Sequence, residues 1–175
     1  MVTITISGSP GSGKTTVAQL LEKKLGLPYV YSGDLFRKMA EQYHMSLEEF
    51  GKYCEKHQEI DEELDRRQLE IIRGRGVIVE GRLAGWLAYK HQVPAFKVFI
   101  DADLETRVKR IVKREEGDLE RRKQEILTRE NSEATRYKKY YNIDIADTSI
   151  YDLVIDSSKK TPEAIVAFVV KKLKR

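Results

Sequence analysis

Gly8-Ser9-Pro10-Gly11-Ser12-Gly13-Lys14-Thr15 fits the pattern G-x-x-x-x-G-K-[ST] at every fixed position. Before it stands the alternating Thr3-Ile4-Thr5-Ile6; after it, Val17, Leu20, Leu21 and Leu25 recur at helical spacing. A strand, a glycine-rich turn and a helix in that order form a phosphate-binding loop. The glycines let the backbone wrap a phosphate chain and aim N–H groups at it, and the opening helix adds its positive dipole end. The ligand so implied is a nucleoside triphosphate. Lys14 is placed for its β- and γ-phosphates and the Thr15 hydroxyl for Mg²⁺, with Thr16 closing the run of contacting residues.

Outward from the loop, short strand candidates recur around Val2 to Ser7, Tyr29 to Tyr31, Val77 to Glu80, Phe96 to Asp101 and Leu153 to Asp156, with helical patterns between them. This alternation predicts an α/β protein of the P-loop NTPase fold, a five-stranded parallel sheet with helices on both faces. Gly26-Leu27-Pro28 ends the first helix, and Ser46-Leu47-Glu48-Glu49 reads as a capping box. Thr161-Pro162 opens the last helix, whose buried stripe is Ile165, Val166, Val169, Val170 and Leu173. Two charged segments do not read as sheet-packing helices. They are 44–75, sparse in apolar residues, and 105–140, broken at Glu115-Glu116-Gly117-Asp118. Both are expected to be mobile excursions near the C-terminal strand ends, where ligands bind in such sheets.

The 175 residues suit one domain, 1–175. No apolar stretch approaches the length of a membrane span, and the chain opens on a strand rather than a signal peptide, so a cytoplasmic location without membrane partners is expected. The lone Cys54 cannot form an internal disulfide, in keeping with a reducing compartment. The net charge of +4 comes from interleaved acids and bases, which predicts an ion-paired surface rather than a nucleic-acid partner. A charged fraction of 34% with only two asparagines, Asn131 and Asn142, leans towards a thermophilic source.

Several constellations read as structure. Cys54 and His57 have no further partners for zinc, and Asp103 stands where a helix N-cap belongs. Tyr137, Tyr140 and Tyr141 share one helix face, as packing residues do. No N/T-K-x-D guanine reader is present, which removes a switch GTPase. Arginines do stand near the crevice: Arg37 in Ser32-Gly33-Asp34-Leu35-Phe36-Arg37, Arg82 in Glu80-Gly81-Arg82, and Arg129 and Arg136 on one face with Glu133.

These elements resemble the nucleoside monophosphate kinases, most closely the cytidylate kinases in a short form of archaeal type, over essentially the full length. S-G-D-L-F-R is similar to the S/T-G-x-x-x-R element that meets the acceptor nucleotide, implying Ser32 and Arg37 as acceptor residues. V-E-G-R resembles the strand-three element whose arginine reaches the acceptor phosphate, here Arg82. The Arg129, Glu133, Arg136 spacing is similar to R-x-x-x-D-x-x-R, implying ribose contacts for the first two and phosphate for the third. Arg110-Ile111-Val112-Lys113-Arg114 resembles the R-x-x-x-R of the lid, implying Arg110 over adenine and Arg114 on the ATP phosphates. Asp34 matches an aspartate near the Mg²⁺ waters in adenylate kinases.

The resemblance implies a kinase domain with an acceptor-binding excursion at about 37–75 and a lid at about 110–136. It would transfer the ATP γ-phosphate to CMP and dCMP with Mg²⁺, as a monomer. Lys14, Arg114 and Arg136 are its expected catalytic residues. Leu83 departs from the bacterial pattern, which has a cytosine-reading aspartate there. The excursion offers Asp61, Glu62, Asp65, Arg66 and Arg67 as replacement readers. The alternatives are another small-molecule P-loop kinase, acting on AMP, UMP or a non-nucleotide acceptor, and a non-catalytic nucleotide or RNA-binding module using the basic segment 107–139.

Overall fold

The computed structural model describes residues 2–174. Five short strands, β1 (Ile4–Ser7), β2 (Tyr29–Tyr31), β3 (Ile78–Glu80), β4 (Phe96–Asp101) and β5 (Leu153–Asp156), pair in the order β2-β3-β1-β4-β5. All four pairings are parallel. Between them run α1 (Lys14–Leu25), α2 (Ser32–Gln42), α3 (Leu47–Cys54), α4 (Gln58–Arg73), α5 (Ala84–Lys90), α6 (Leu104–Glu115), α7 (Leu119–Tyr141) and α8 (Pro162–Leu173).

Alternation along the strands divides the core in two. Ile4, Ile6, Ile78, Val98, Ile100 and Ile155 pack against Val17, Leu21, Ile165 and Val169 of α1 and α8. Val77 and Val79 face the other way, onto Ile72, Leu83, Leu87 and Tyr137. Helices α1 and α8 thus cover one face of the sheet, and α4, α5 and α7 the other. The expected strands and caps are present: Gly26 ends α1 in the left-handed conformation, Ser46 and Glu49 make a reciprocal capping box, and Asp103 and Thr161 cap α6 and α8.

The two charged segments meet the sheet only towards their ends. Each carries a small cluster of its own: Met39, Phe50, Cys54 and Ile60 within α2–α4, and Val108, Ile111 and Ile126 between α6 and α7. Each also ends on the sheet, α4 through Ile72 and α7 through Tyr137. Most of their charged residues are exposed, but Asp61, Asp65, Arg107, Glu133 and Arg136 are buried. The break between α6 and α7 falls at Glu116 and Gly117, both with positive φ. Among the described residues no helix is long and apolar enough to cross a membrane.

Candidate active site

Loop 8–13 leaves the C-terminal end of β1 and turns into α1. Gly8 is obligatory: a Cβ there would sit 1.8 Å from the Ile100 carbonyl oxygen, at φ +147°. Gly13, at φ +90°, is the residue before the helix and brings the backbone into its first turn. Lys14 folds back so that Nζ donates to the Ser9 carbonyl at 2.7 Å. Burial pulls its pKa down to about 7, only partly offset by Glu80.

Register across β1, β2 and β3 builds the next layer. Ile6 and Tyr31 both align with Glu80, which is 1% exposed. Thr15 Oγ1 donates to Glu80 Oε1 at 2.9 Å, and Tyr29 OH donates to Oε2 at 2.5 Å. Glu80 stands inside the V-E-G-R element, yet nothing in that spacing assigns it a role. Its importance comes from the register. Asp34, by contrast, is exposed and lies 3.7 Å from Arg37, not on Thr15.

Four residues expected to serve the acceptor converge beside the loop. Arg82 Nε donates to Glu133 Oε2 at 2.5 Å, and its Nη1 reaches the Gly8 carbonyl at 2.7 Å. Arg129 Nε donates to Glu133 Oε1 at 3.1 Å. Burial pushes the Glu133 carboxyl up, but Arg82, Arg129 and Arg136 outweigh it and hold it at about 2. One turn on, Arg136 lies 2.9 Å from Asp61 Oδ2 as a close ion pair that is not aligned as a hydrogen bond. Its Nη1 donates to Ser132 Oγ at 3.1 Å and to the Gly51 carbonyl at 3.4 Å. Arg136 thus joins α7 to α3 and α4. Asp61 is raised to about 6 by burial against the pull of Arg136, and Asp65 to about 7 by burial against its bond from Tyr141. Glu62, Arg66 and Arg67, grouped with them in the sequence, are on the surface or paired there.

On the far side of the loop, Arg110 donates to Ser157 Oγ at 3.0 Å, to the Ser157 carbonyl at 2.7 Å and to the Ser12 carbonyl at 3.3 Å. Its guanidinium is thereby fixed between the phosphate loop and the turn after β5. Arg107, one helical turn earlier, reaches the Ala102 and Pro10 carbonyls and Glu130 at 3.1, 3.3 and 2.8 Å. The i, i+3 spacing of Arg107 and Arg110 could have shown that they share a face, whereas the partner Glu130 could not be read. Three expected residues stand apart from the cluster: Arg37, its side chain 55% exposed, Arg114, 64% exposed and bonded to Glu115, and the exposed Thr16. The basic segment 107–139 is largely engaged within the chain, through Glu115, Glu125, Glu130, Glu133 and Asp61.

A parallel sheet in this order, with a glycine loop wrapping the start of α1 and cations gathered at the strand ends, defines a P-loop α/β protein. Solved structures share the fold: an uncharacterized protein from Eubacterium ventriosum, at TM-score 0.74, 19% identity and 99% coverage of both chains, and a shikimate kinase from Bacteroides thetaiotaomicron, at TM-score 0.63, 15% identity and 99% coverage of both. The family is narrower. Residues 3–159 match the profile of the cytidylate kinase-like family, and the chain belongs to that family. It is similar to the cytidylate kinase of Methanocaldococcus jannaschii, 47% identical over 95% of this chain and 94% of the relative. It is also similar to that of Pyrococcus abyssi, 46% identical over 95% and 90%, and that of Methanococcus vannielii, 45% identical over 98% and 99%.

Proposed function

We propose that the protein transfers the γ-phosphate of ATP to CMP, and to dCMP, giving ADP and the nucleoside diphosphate. One observation carries the reading beyond family membership: Lys14 and Arg82 rest on the Ser9 and Gly8 carbonyls of the phosphate loop, Arg129 joins Arg82 on Glu133, and Arg136 lies one turn on against Asp61, each cation on an oxygen that a phosphate oxygen can replace. Phosphoryl transfer passes through a loose transition state with charge spread over the moving group, so positioned cations supply most of the catalysis.

The loop 8–13 with Lys14, Thr15 and Thr16 takes the donor phosphates, and Arg110 takes the adenine face. Arg37, Arg82 and Arg136 hold the acceptor phosphate, Ser32, Arg129 and Glu133 contact the acceptor nucleoside, and Arg114 swings in from the lid. Segment 37–75 is the acceptor-binding part and segment 110–136 the lid of one kinase domain. Closure of the two excludes the water that otherwise competes as acceptor. Every group in this scheme comes from one chain.

Mg²⁺ fits the donor set. The Thr15 hydroxyl and the Glu80 carboxylate are hard oxygen ligands beside the phosphate site, and Asp34, in the first turn of α2, is a further carboxylate that would have to approach on closure. Mg²⁺ characteristically binds through one or two protein oxygens together with the phosphates of the nucleotide. When bound, it neutralises charge on the β- and γ-oxygens.

The test is acceptor-dependent ADP release with CMP, dCMP, UMP, AMP and shikimate. CMP and dCMP are expected to lead; preference for any of the others overturns the assignment.

A further inference from the structure

Asp61, Asp65 and Gln68 follow one another at spacings of four and three along α4, which places them on one helix face. All three are buried, at 2%, 9% and 3% exposure. Two are engaged, Asp61 with Arg136 and Asp65 with the Tyr141 hydroxyl. Gln68 differs. Its Nε2 donates to Ser32 Oγ, while its buried Oε1 has no hydrogen-bond partner among the described residues. The amide lies against the backbone of Gly81, where a Cβ would come within 2.9 Å of Nε2 and 2.4 Å of Ser32 Oγ. It therefore sits between the first residue of α2, the helix that carries Arg37, and the residue preceding Arg82. Leu83 faces the core with Val79 and Leu87 and has no polar atom to offer.

A buried carbonyl oxygen left without a donor costs about 1–3 kcal/mol, and such groups in native proteins have a reason. We infer that Gln68 is a specificity-determining residue that reads the acceptor base, its Oε1 accepting from the cytosine amino group while the Ser32 hydroxyl donates to the adjacent ring nitrogen. This rests on the CMP reading above. The chemistry is complementary: cytosine presents the N4 amino donor beside the N3 acceptor. Ser32 Oγ already takes a hydrogen from Nε2, which leaves its own hydrogen free to give. The pair thus offers an acceptor and a donor in the order cytosine needs. Uracil inverts both positions, setting O4 against Oε1 and the N3–H against the hydroxyl hydrogen. With Nε2 on Ser32 Oγ, the amide oxygen is the atom left free to accept. Oε1 is closed to solvent in the free protein.

The experiment measures kcat/KM for CMP and UMP in the wild type, Gln68→Met and Ser32→Ala, alongside ATP affinity and thermal melting. Gln68→Met keeps the volume and removes the acceptor; Ser32→Ala removes the donor and the contact that orients the amide. Loss of a hydrogen-bonding base reader is expected to lower kcat/KM for CMP by about 10- to 100-fold with little change for UMP, at unchanged ATP affinity. Ser32→Ala is expected to narrow the same ratio in a folded protein, which keeps the test decisive if Gln68→Met melts poorly. Equal losses for both acceptors, with the preference for CMP retained, overturn the role of Gln68 and mark it as structural. A wild type that does not prefer CMP overturns the functional reading itself, so the two failures are distinct.

Discussion

Arg82 Nε sits 2.5 Å from Glu133 Oε2, and the same guanidinium reaches the Gly8 carbonyl at 2.7 Å, so a single side chain links α7 to the first residue of the phosphate loop. Glu133 also holds Arg129, so one buried carboxylate pairs with the largely enclosed Arg82 and the more exposed Arg129. Removing the anion leaves two arginines facing each other without compensation. Glu133→Ala is expected to destabilise the free protein by about 3 kcal/mol or more. A free phosphate can replace the missing charge, so added inorganic phosphate should raise the melting temperature of the variant more than that of the wild type. Thermal melts with and without phosphate check this; equal shifts contradict it.

Lys14 has its pKa pulled down to about 7 from the ordinary 10.5. Since the unfolded chain binds more protons than the folded one between those values, this group destabilises the free protein below about pH 7 and the penalty is relieved as pH rises towards 10.5. Triphosphate binding favours the charged amine, so ATP should bind with proton uptake in that window. Calorimetry in buffers of different ionisation enthalpy measures the uptake, which should vanish in Lys14→Met.

Asp65 behaves in the opposite sense. Its pKa is raised by burial to about 7, so the folded state holds a proton that the unfolded chain releases near 3.8. The stabilisation is fully present below 3.8 and is lost as pH rises through about 7. Asp65→Asn, which keeps the polar contact to Tyr141 and removes the charge, is expected to melt higher than wild type at alkaline pH and to flatten the pH dependence between these limits. Melting curves across that range decide it.

Arg114 is exposed and rests on its neighbour Glu115 rather than on the phosphate loop. Arg114→Ala should leave stability unchanged and lower turnover more than ATP affinity, because its contact is completed only on closure. A change confined to ATP affinity would make it a ground-state contact.

Much of this was legible in the residues alone because it is local. The loop 8–13, the caps at Ser46, Asp103 and Thr161, and the strand alternation depend on neighbours within a few positions. What escaped depends on distant pairing. Glu80 meets Thr15 and Tyr29 only because parallel register brings three strand ends together. Asp61 was visible as a possible base reader, but its engagement with Arg136 follows from how α4 lies against α7. Gln68, uncharged and amid charged residues, carried no signal until its unpaired oxygen was seen beside Ser32.

The arginine cluster is expected to hold a cytidine monophosphate while it receives a phosphoryl group from ATP. The most direct measurement follows the γ-phosphate of labelled ATP in the presence of Mg²⁺ and CMP, with Lys14→Met as the comparison. The label is expected in CDP, only when CMP is present, and not with the variant, whose loss of charge at the phosphates should cost on the order of 3 kcal/mol or more in the transition state. Label released as inorganic phosphate regardless of CMP, or a folded Lys14→Met that still makes CDP at the wild-type rate, would contradict the account.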